Sequence, residues 1–72
     1  MINRYQFSRR LEKELEKQGL RQVDLSRMTG ITDSTISRYV NGHTHRGIRA
    51  EYVRRIADAL GVTCEYLGMT GE

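Results

Sequence analysis

Residues Gln22–Gly42 read QVDLSRMTGITDSTISRYVNG, and this stretch decides the fold. Its apolar side chains recur at helical spacing on either side of a central glycine, Gly30. They are Leu25 and Met28 on one side of the first segment, Ile31 after the glycine, and Ile36 and Tyr39 on the inner side of the second segment. The pattern predicts two short helices joined by a tight turn.

The second of these helices carries polar residues away from its apolar positions. Their side chains are short or charged: Asp33, Ser34, Ser37 and Arg38. Such side chains can reach base edges in the major groove of DNA, which an α-helix is narrow enough to enter. The stretch therefore predicts binding to a specific sequence of double-stranded DNA, with these residues reading the bases.

Each of these side chains also has an alternative role. Arg38 can form two hydrogen bonds with a guanine, or it can contact a phosphate. Asp33 can accept a hydrogen bond from a cytosine amino group, or it can favour the start of its helix through the helix dipole. Ser34 and Ser37 can donate to a base, or they can simply be small enough to let the helix approach closely.

The length of the chain, 72 residues, predicts a single domain over residues 1–72, of which 69–72 form a candidate disordered tail. A chain of this size has little room for a deep cleft, and its sequence shows no grouping of acid, histidine and nucleophile. An enzyme is therefore not expected. The chain has no long apolar run, and a signal peptide is not expected because charged residues interrupt the segment from Asn3 to Lys17. Its single cysteine, Cys64, fits a reducing cytoplasm.

The net charge is only +3, but the basic residues are unevenly placed. Between Ser37 and Arg55 the sequence contains one acidic residue, Glu51. The same segment contains seven arginines and histidines: Arg38, His43, His45, Arg46, Arg49, Arg54 and Arg55. The positive charge therefore follows the second short helix, where a polyanion would lie.

Apolar periodicity and glycine positions predict five helices, at residues 4–18, 21–29, 33–40 and 49–60 and in a short segment from Thr63 to Gly68. Asn3 and Thr32 are the predicted N-caps of the first and third helices. No segment alternates as a strand does, so the predicted fold class is all-α. Residues 41–48 form the longest irregular stretch, a loop well placed to meet a sugar-phosphate backbone.

A set of residues along nearly the whole chain carries a family pattern. Its marks are Gln22, Ser26, Gly30, Ile36, Asn41-Gly42, the segment IADALGVT from Ile56 to Thr63, and Tyr66-Leu67. Together they closely resemble the Cro and repressor family of helix-turn-helix proteins from lambdoid phages and their bacterial relatives, which is also called lambda repressor-like or XRE-type.

The resemblance implies a compact bundle of five helices whose third helix lies in the major groove. It implies a transcriptional regulator, most often a repressor, that works without a cofactor as a homodimer on a near-palindromic operator, in the cytoplasm of a bacterial cell or phage-infected host. The residues that it places on phosphates are Gln22, Asn41, His43, Thr44, His45 and Arg46.

Three departures from the family pattern affect these expectations. Asp33 stands where several relatives carry an uncharged amide, and its carboxylate would be repelled by phosphates but can accept from a cytosine amino group. Ser26 stands where alanine is usual, and its hydroxyl is expected to bond back to a helix carbonyl. The loop after Gly42 is a few residues longer than in the shortest relatives, which leaves open whether Arg46 or Arg49 reaches a minor groove.

A metal site at His43 and His45 is not expected, because two ligands without a nearby cysteine or carboxylate do not complete one.

The alternative function is an antitoxin-like or adaptor module that binds a protein partner as well as DNA. That function requires an exposed apolar surface, which could equally be a homodimer contact: Ile2, Tyr5, Val62, Tyr66, Leu67 and Met69. Charge-driven binding to RNA or to DNA of any sequence is a third alternative, which the modest net charge of +3 disfavours.

Overall fold

The computed structural model describes residues 2–69, and the regular elements in this range are four α-helices. They are α1 (Arg4–Gln18), α2 (Gln22–Thr29), α3 (Asp33–Val40) and α4 (Ala50–Leu60). The bounds lie within one residue of the first four predicted spans. The all-helical prediction is therefore confirmed for the described part of the chain.

The helix ends follow from side-chain and glycine signals in the sequence. At the start of α1, the Asn3 side chain accepts from the backbone N–H of Gln6 at 3.0 Å. At the start of α3, Thr32 Oγ1 accepts from the N–H of Thr35 at 3.3 Å. Each bond satisfies a backbone donor that has no partner within its helix. Gly19 ends α1 with a φ of 68°, a conformation that costs glycine little.

Each helix turns one apolar face toward a single core. The buried members are Phe7, Leu11, Leu15, Leu25, Ile31, Ile36, Tyr39, Val53, Ile56, Ala57, Leu60 and Leu67. Removal of these side chains from water is the main favourable contribution to folding. A chain with a single cysteine cannot add an internal disulfide to it.

Tyr39 joins three helices at the centre of this core. Its ring meets the edge of Phe7 on α1 at 5.5 Å between centroids and lies 6.4 Å from Tyr52 on α4. Its carbonyl accepts from Ser8 Oγ at 2.7 Å, and its hydroxyl accepts from the N–H of Arg49 at 3.4 Å. The position of α3 is therefore fixed by contacts with α1 and with α4.

The predicted fifth helix is wrong, because residues 64–68 form turns. Thr63 acts as a cap, with its Oγ1 accepting from the N–H of Tyr66 at 3.0 Å. However, the N–H of Gly68 bonds to Glu65 O and that of Met69 to Cys64 O, so regular i to i−4 bonding does not build up. The segment instead buries Leu67 and turns back toward the start of the chain.

The two ends of the described chain pair with each other. Ile2 and Met69 form an isolated antiparallel bridge, and the N–H of Asn3 donates to Gly68 O at 3.0 Å. Met69 was included in the candidate disordered tail, and the rest of that tail, 70–72, lies outside the described residues.

Met28 does not share the buried side of α2 with Leu25 as predicted, because half of its surface (50%) is exposed. The buried partner of Leu25 is Thr29, one helical turn further on. Within residues 2–69, no helix is both long enough and apolar enough to cross a membrane.

We predict that Gly68→Ala destabilises the protein more than Gly47→Ala does. The two glycines have similar φ values, 97° and 95°, so both substitutions carry a backbone cost of about 1–2 kcal/mol. A Cβ at Gly68 would also lie 3.0 Å from the carbonyl oxygen of Asn3, whereas one at Gly47 would meet nothing within 4 Å. Urea unfolding of both variants measures the difference, and equal losses would contradict the close approach at Gly68.

Candidate nucleic-acid interface

The turn between α2 and α3 is fixed by two side chains of α2. Thr29 Oγ1 donates to Leu25 O at 2.8 Å and accepts from the N–H of Ile31 at 3.2 Å. The Ser26 hydroxyl donates to Ile31 O. The expected bond from Ser26 to a helix carbonyl is therefore wrong: its partner lies across the turn, because the αL conformation of Gly30 brings the chain back over α2.

The outer side of α3 presents most of the predicted base-reading residues to solvent. Asp33, Ser34 and Arg38 are exposed, while Ser37 is half-buried. Ile36 and Tyr39 turn the opposite side of α3 into the core. The helix therefore offers a polar strip on a rigid support, and the hydrophobic contacts of its inner side fix the orientation of that strip.

A chain of hydroxyl groups orients Arg38. Thr32 Oγ1 donates to Thr35 Oγ1 at 3.1 Å, and Thr35 Oγ1 accepts from Arg38 Nη2 at 3.1 Å. Sequence reasoning missed Thr35, although a hydroxyl three residues before an arginine on one helix is a recognisable signal. The guanidinium keeps its remaining N–H donors for another partner, because only one bond to Thr35 is made.

Asn41, at the end of α3, contacts Ser37 one turn earlier. Its Nδ2 donates to Ser37 Oγ at 3.3 Å, so a residue predicted to bind phosphate and one predicted to read bases are in direct contact. The hydroxyl hydrogen of Ser37 stays available for a ligand, since Ser37 is the acceptor in this bond.

The loop after α3 divides the predicted phosphate contacts between two clefts. His43 and Arg46 line one cleft together with Arg38 and Arg49. His45 lines another with Asn41, against the N-terminal half of α1.

Thr44 also lines the cleft with His45, but unlike the other loop residues it is buried. Only 6% of its surface is accessible, and its carbonyl accepts from Arg4 Nη1 at 2.8 Å. The structure therefore places Thr44 as the point at which the loop is held to α1.

The cleft beside Arg38 is strongly positive. Arg49 lies at its edge with the guanidinium 5.5 Å from the centroid of the Tyr52 ring, a distance typical of cation–π contacts. The ion pairs found within residues 2–69 are Arg21–Asp24 and Arg55–Glu51. No carboxylate in this range neutralises the cations of the cleft, so the cleft can attract an anion.

Gln22 is half-buried in the first turn of α2, which is held by its neighbours Arg21 and Asp24. Asp24 Oδ2 accepts from the backbone N–H of Arg21 at 2.9 Å and from its Nε at 3.2 Å. These bonds, the one from the guanidinium first, lower the pKa of Asp24. A carboxylate also suits the positive end of the α2 dipole.

The two loop histidines are not joined by further metal-binding side chains. Across residues 2–69, no group of three histidine, cysteine or carboxylate side chains is placed to hold a metal ion.

A comparison with protein-family models connects this arrangement with known proteins. The model described as helix-turn-helix matches residues 11–67, which include all of α2, α3 and α4. No curated protein and no solved structure matched the chain at a significant level of similarity.

We predict that Asp24→Asn destabilises the protein at neutral pH and that this loss disappears in acid. A carboxyl whose pKa is lowered by folding stabilises the folded state above its unfolded pKa, about 3.9. This contribution is lost as the pH falls through the lower pKa of the folded state. Urea unfolding of both proteins over a pH series measures the gap, and a gap independent of pH would contradict a role for the charge.

Proposed function

Because the chain belongs to the lambda repressor-like helix-turn-helix family, a family of DNA-binding transcription regulators, we propose that it represses transcription by docking α3 in the major groove of a specific operator. Steric exclusion of the transcription machinery is sufficient for repression, and no catalytic step is required. The observation that carries this proposal is the exposed polar strip of α3, with Arg38 oriented by Thr35 beside a cleft of unpaired cations.

The dimensions of α3 support docking in the major groove. An α-helix with its side chains is about 10–12 Å in diameter, close to the width of that groove, which is about 12 Å. Asp33 and Ser34 occupy its first turn, and Ser37 and Arg38 follow on the next. We propose that these four residues face the base edges.

The phosphate contacts are proposed to lie on both sides of α3. Gln22 reaches one strand from the first turn of α2. Asn41 and the exposed loop residues reach the other strand: His43, His45 and Arg46. Thr44 supports this loop through its carbonyl and is not included among the proposed contacts.

We propose that the protein acts as a homodimer on a near-palindromic operator, since two copies related by a two-fold axis would read two half-sites. The half-buried apolar residues near the paired chain ends are the candidate contact: Ile2, Val62, Tyr66 and Met69. Leu67 was expected in this surface, whether for a homodimer or for an antitoxin-like partner, but it is fully buried in the core. Nothing in the described residues favours the antitoxin-like alternative.

The experiment that tests the function is selection of binding sites from random duplex DNA, at physiological salt with competitor DNA. We predict enrichment of a two-fold symmetric motif whose half-sites lie about 10 base pairs apart, one helical turn. Enrichment of an asymmetric motif would contradict the dimer but support specific binding. Folded protein that enriches no motif would overturn the proposed function.

We predict that Arg38→Ala relaxes the preference at one base pair in each half-site. A bidentate contact with guanine is worth about 1–3 kcal/mol of discrimination against other bases. Competition binding with operator variants measures this quantity. Arg54→Ala is the control, because Arg54 is an exposed arginine of α4 that lines neither cleft.

Thr35→Val tests whether the orientation of Arg38 matters, because the arginine itself is kept. The variant keeps the shape of the side chain but removes the hydroxyl that accepts from Arg38, so discrimination at the same base pair should fall by less than in Arg38→Ala. Thr35→Ser should restore it. A uniform loss of affinity for all sequences in Arg38→Ala would show that Arg38 binds a phosphate instead.

A further inference from the structure

A concave surface lies between the N-terminal half of α1 and the loop after α3. Tyr5 and Arg9 line it from α1, and Asn41 and His45 line it from the other side. We call this surface the α1 cleft. Its α1 residues lie outside the polar strip of α3 and outside the set to which the family resemblance assigns DNA contacts.

Tyr5 and Arg9 form a pair on the open side of the α1 cleft. Arg9 Nη1 donates to the Tyr5 hydroxyl at 2.8 Å, and the guanidinium carbon lies 5.6 Å from the centre of the ring. Tyr5 is 69% exposed and lies two residues before the core residue Phe7, so it projects from the opposite side of α1. Core packing therefore does not account for its position.

The hydrogen bonding of this pair leaves donors directed at solvent. The Tyr5 oxygen accepts from Arg9, so the phenolic hydrogen remains free to donate. The guanidinium has five N–H donors, and its bond to a neutral hydroxyl does not neutralise its charge. Arg9 is not part of either ion pair found within residues 2–69. A ligand that accepts several hydrogen bonds and carries negative charge matches these donors.

The α1 cleft is held in shape before any ligand arrives. Arg4 Nη1 donates to Thr44 O at 2.8 Å, which fixes the loop that carries His45 against α1. Glu12 is the carboxylate that lines the cleft, one helical turn beyond Arg9. The two guanidinium groups of Arg4 and Arg9 outnumber it, so the cleft favours an anion near its Tyr5 end.

We propose that the α1 cleft binds a phosphodiester group of the DNA backbone, next to the phosphate proposed for Asn41 and His45. Arg9 supplies the charge and the N–H donors, and the Tyr5 hydroxyl donates to a phosphate oxygen. This inference rests on the proposed function. It extends the contact with DNA from the helix-turn-helix onto the first helix of the domain.

The test compares Arg9→Gln with Lys17→Gln on the selected operator. Both variants remove one positive charge from α1, but exposed Lys17 lies near the opposite end of the helix and lines no part of the cleft. The dissociation constant is measured between about 50 and 200 mM salt. Each phosphate contact contributes about 0.9 to the slope of log K against log salt. Arg9→Gln should lower the slope by about one, and Lys17→Gln should leave it unchanged.

A second measurement locates the contact on the DNA. Ethylation of a single backbone phosphate should weaken binding of the wild-type protein at the position that faces Arg9. The same ethylation should have little effect on Arg9→Gln, which has already lost that contact. Tyr5→Phe removes only the hydroxyl and should weaken binding severalfold without altering the preferred motif.

The outcomes separate this inference from the proposed function. In one outcome, the wild-type protein binds the operator while Arg9→Gln and Lys17→Gln both show the same salt dependence and the same sensitivity to phosphate ethylation as the wild type. In that case the α1 cleft does not bind phosphate, and the proposed function stands. If both variants lower the slope equally, the effect is one of general charge, and the inference is again overturned. If the wild-type protein binds no DNA, both proposals fail.

Discussion

The structure depends on the burial of Tyr39 among three helices. Its ring packs against Phe7 and Tyr52, while its carbonyl and hydroxyl bond to Ser8 and to the backbone of Arg49. Because the ring is buried and both the carbonyl and the hydroxyl of Tyr39 have hydrogen-bond partners, this residue has one favourable position. It therefore determines how α3 is rotated about its own axis. Because the polar strip of α3 lies on the opposite side of the same short helix, core packing also determines which side chains face outward.

The arginines near α3 are positioned by neutral acceptors. Arg38 bonds to the Thr35 hydroxyl, Arg9 to the Tyr5 hydroxyl, and Arg4 to the Thr44 carbonyl. A carboxylate would orient a guanidinium equally well but would cancel its field and compete with a phosphate. The ion pairs found in the described chain involve other arginines, Arg21 and Arg55. The guanidinium groups of Arg38, Arg9 and Arg4 therefore keep their positive charge for the proposed polyanion.

Much of the fold could be predicted because its signals are local. The Asn3 and Thr32 caps and the glycines gave the bounds of four helices, since each cap acts within one turn. The wrong predictions concern segments whose conformation depends on contacts with distant parts of the chain. Leu67 is drawn into the core, which leaves turns where a fifth helix was predicted. The bond between Arg38 and Thr35 spans one helical turn and was recognisable from spacing. The α1 cleft was not, because α1 and the loop after α3 are far apart in the sequence and meet only in the folded chain.

The pairing of Ile2 with Met69 brings the two ends of the described chain to one place. That place adjoins the α1 cleft, since Asn3 both bonds to Gly68 and lines the cleft. Ile2 and Met69, from which the chain continues in either direction, therefore both lie near the cleft that Tyr5 and Arg9 line. An acidic segment held at this place would compete for the same cations, and a basic one would add to them. The two ends of the described chain thus share one electrostatic environment.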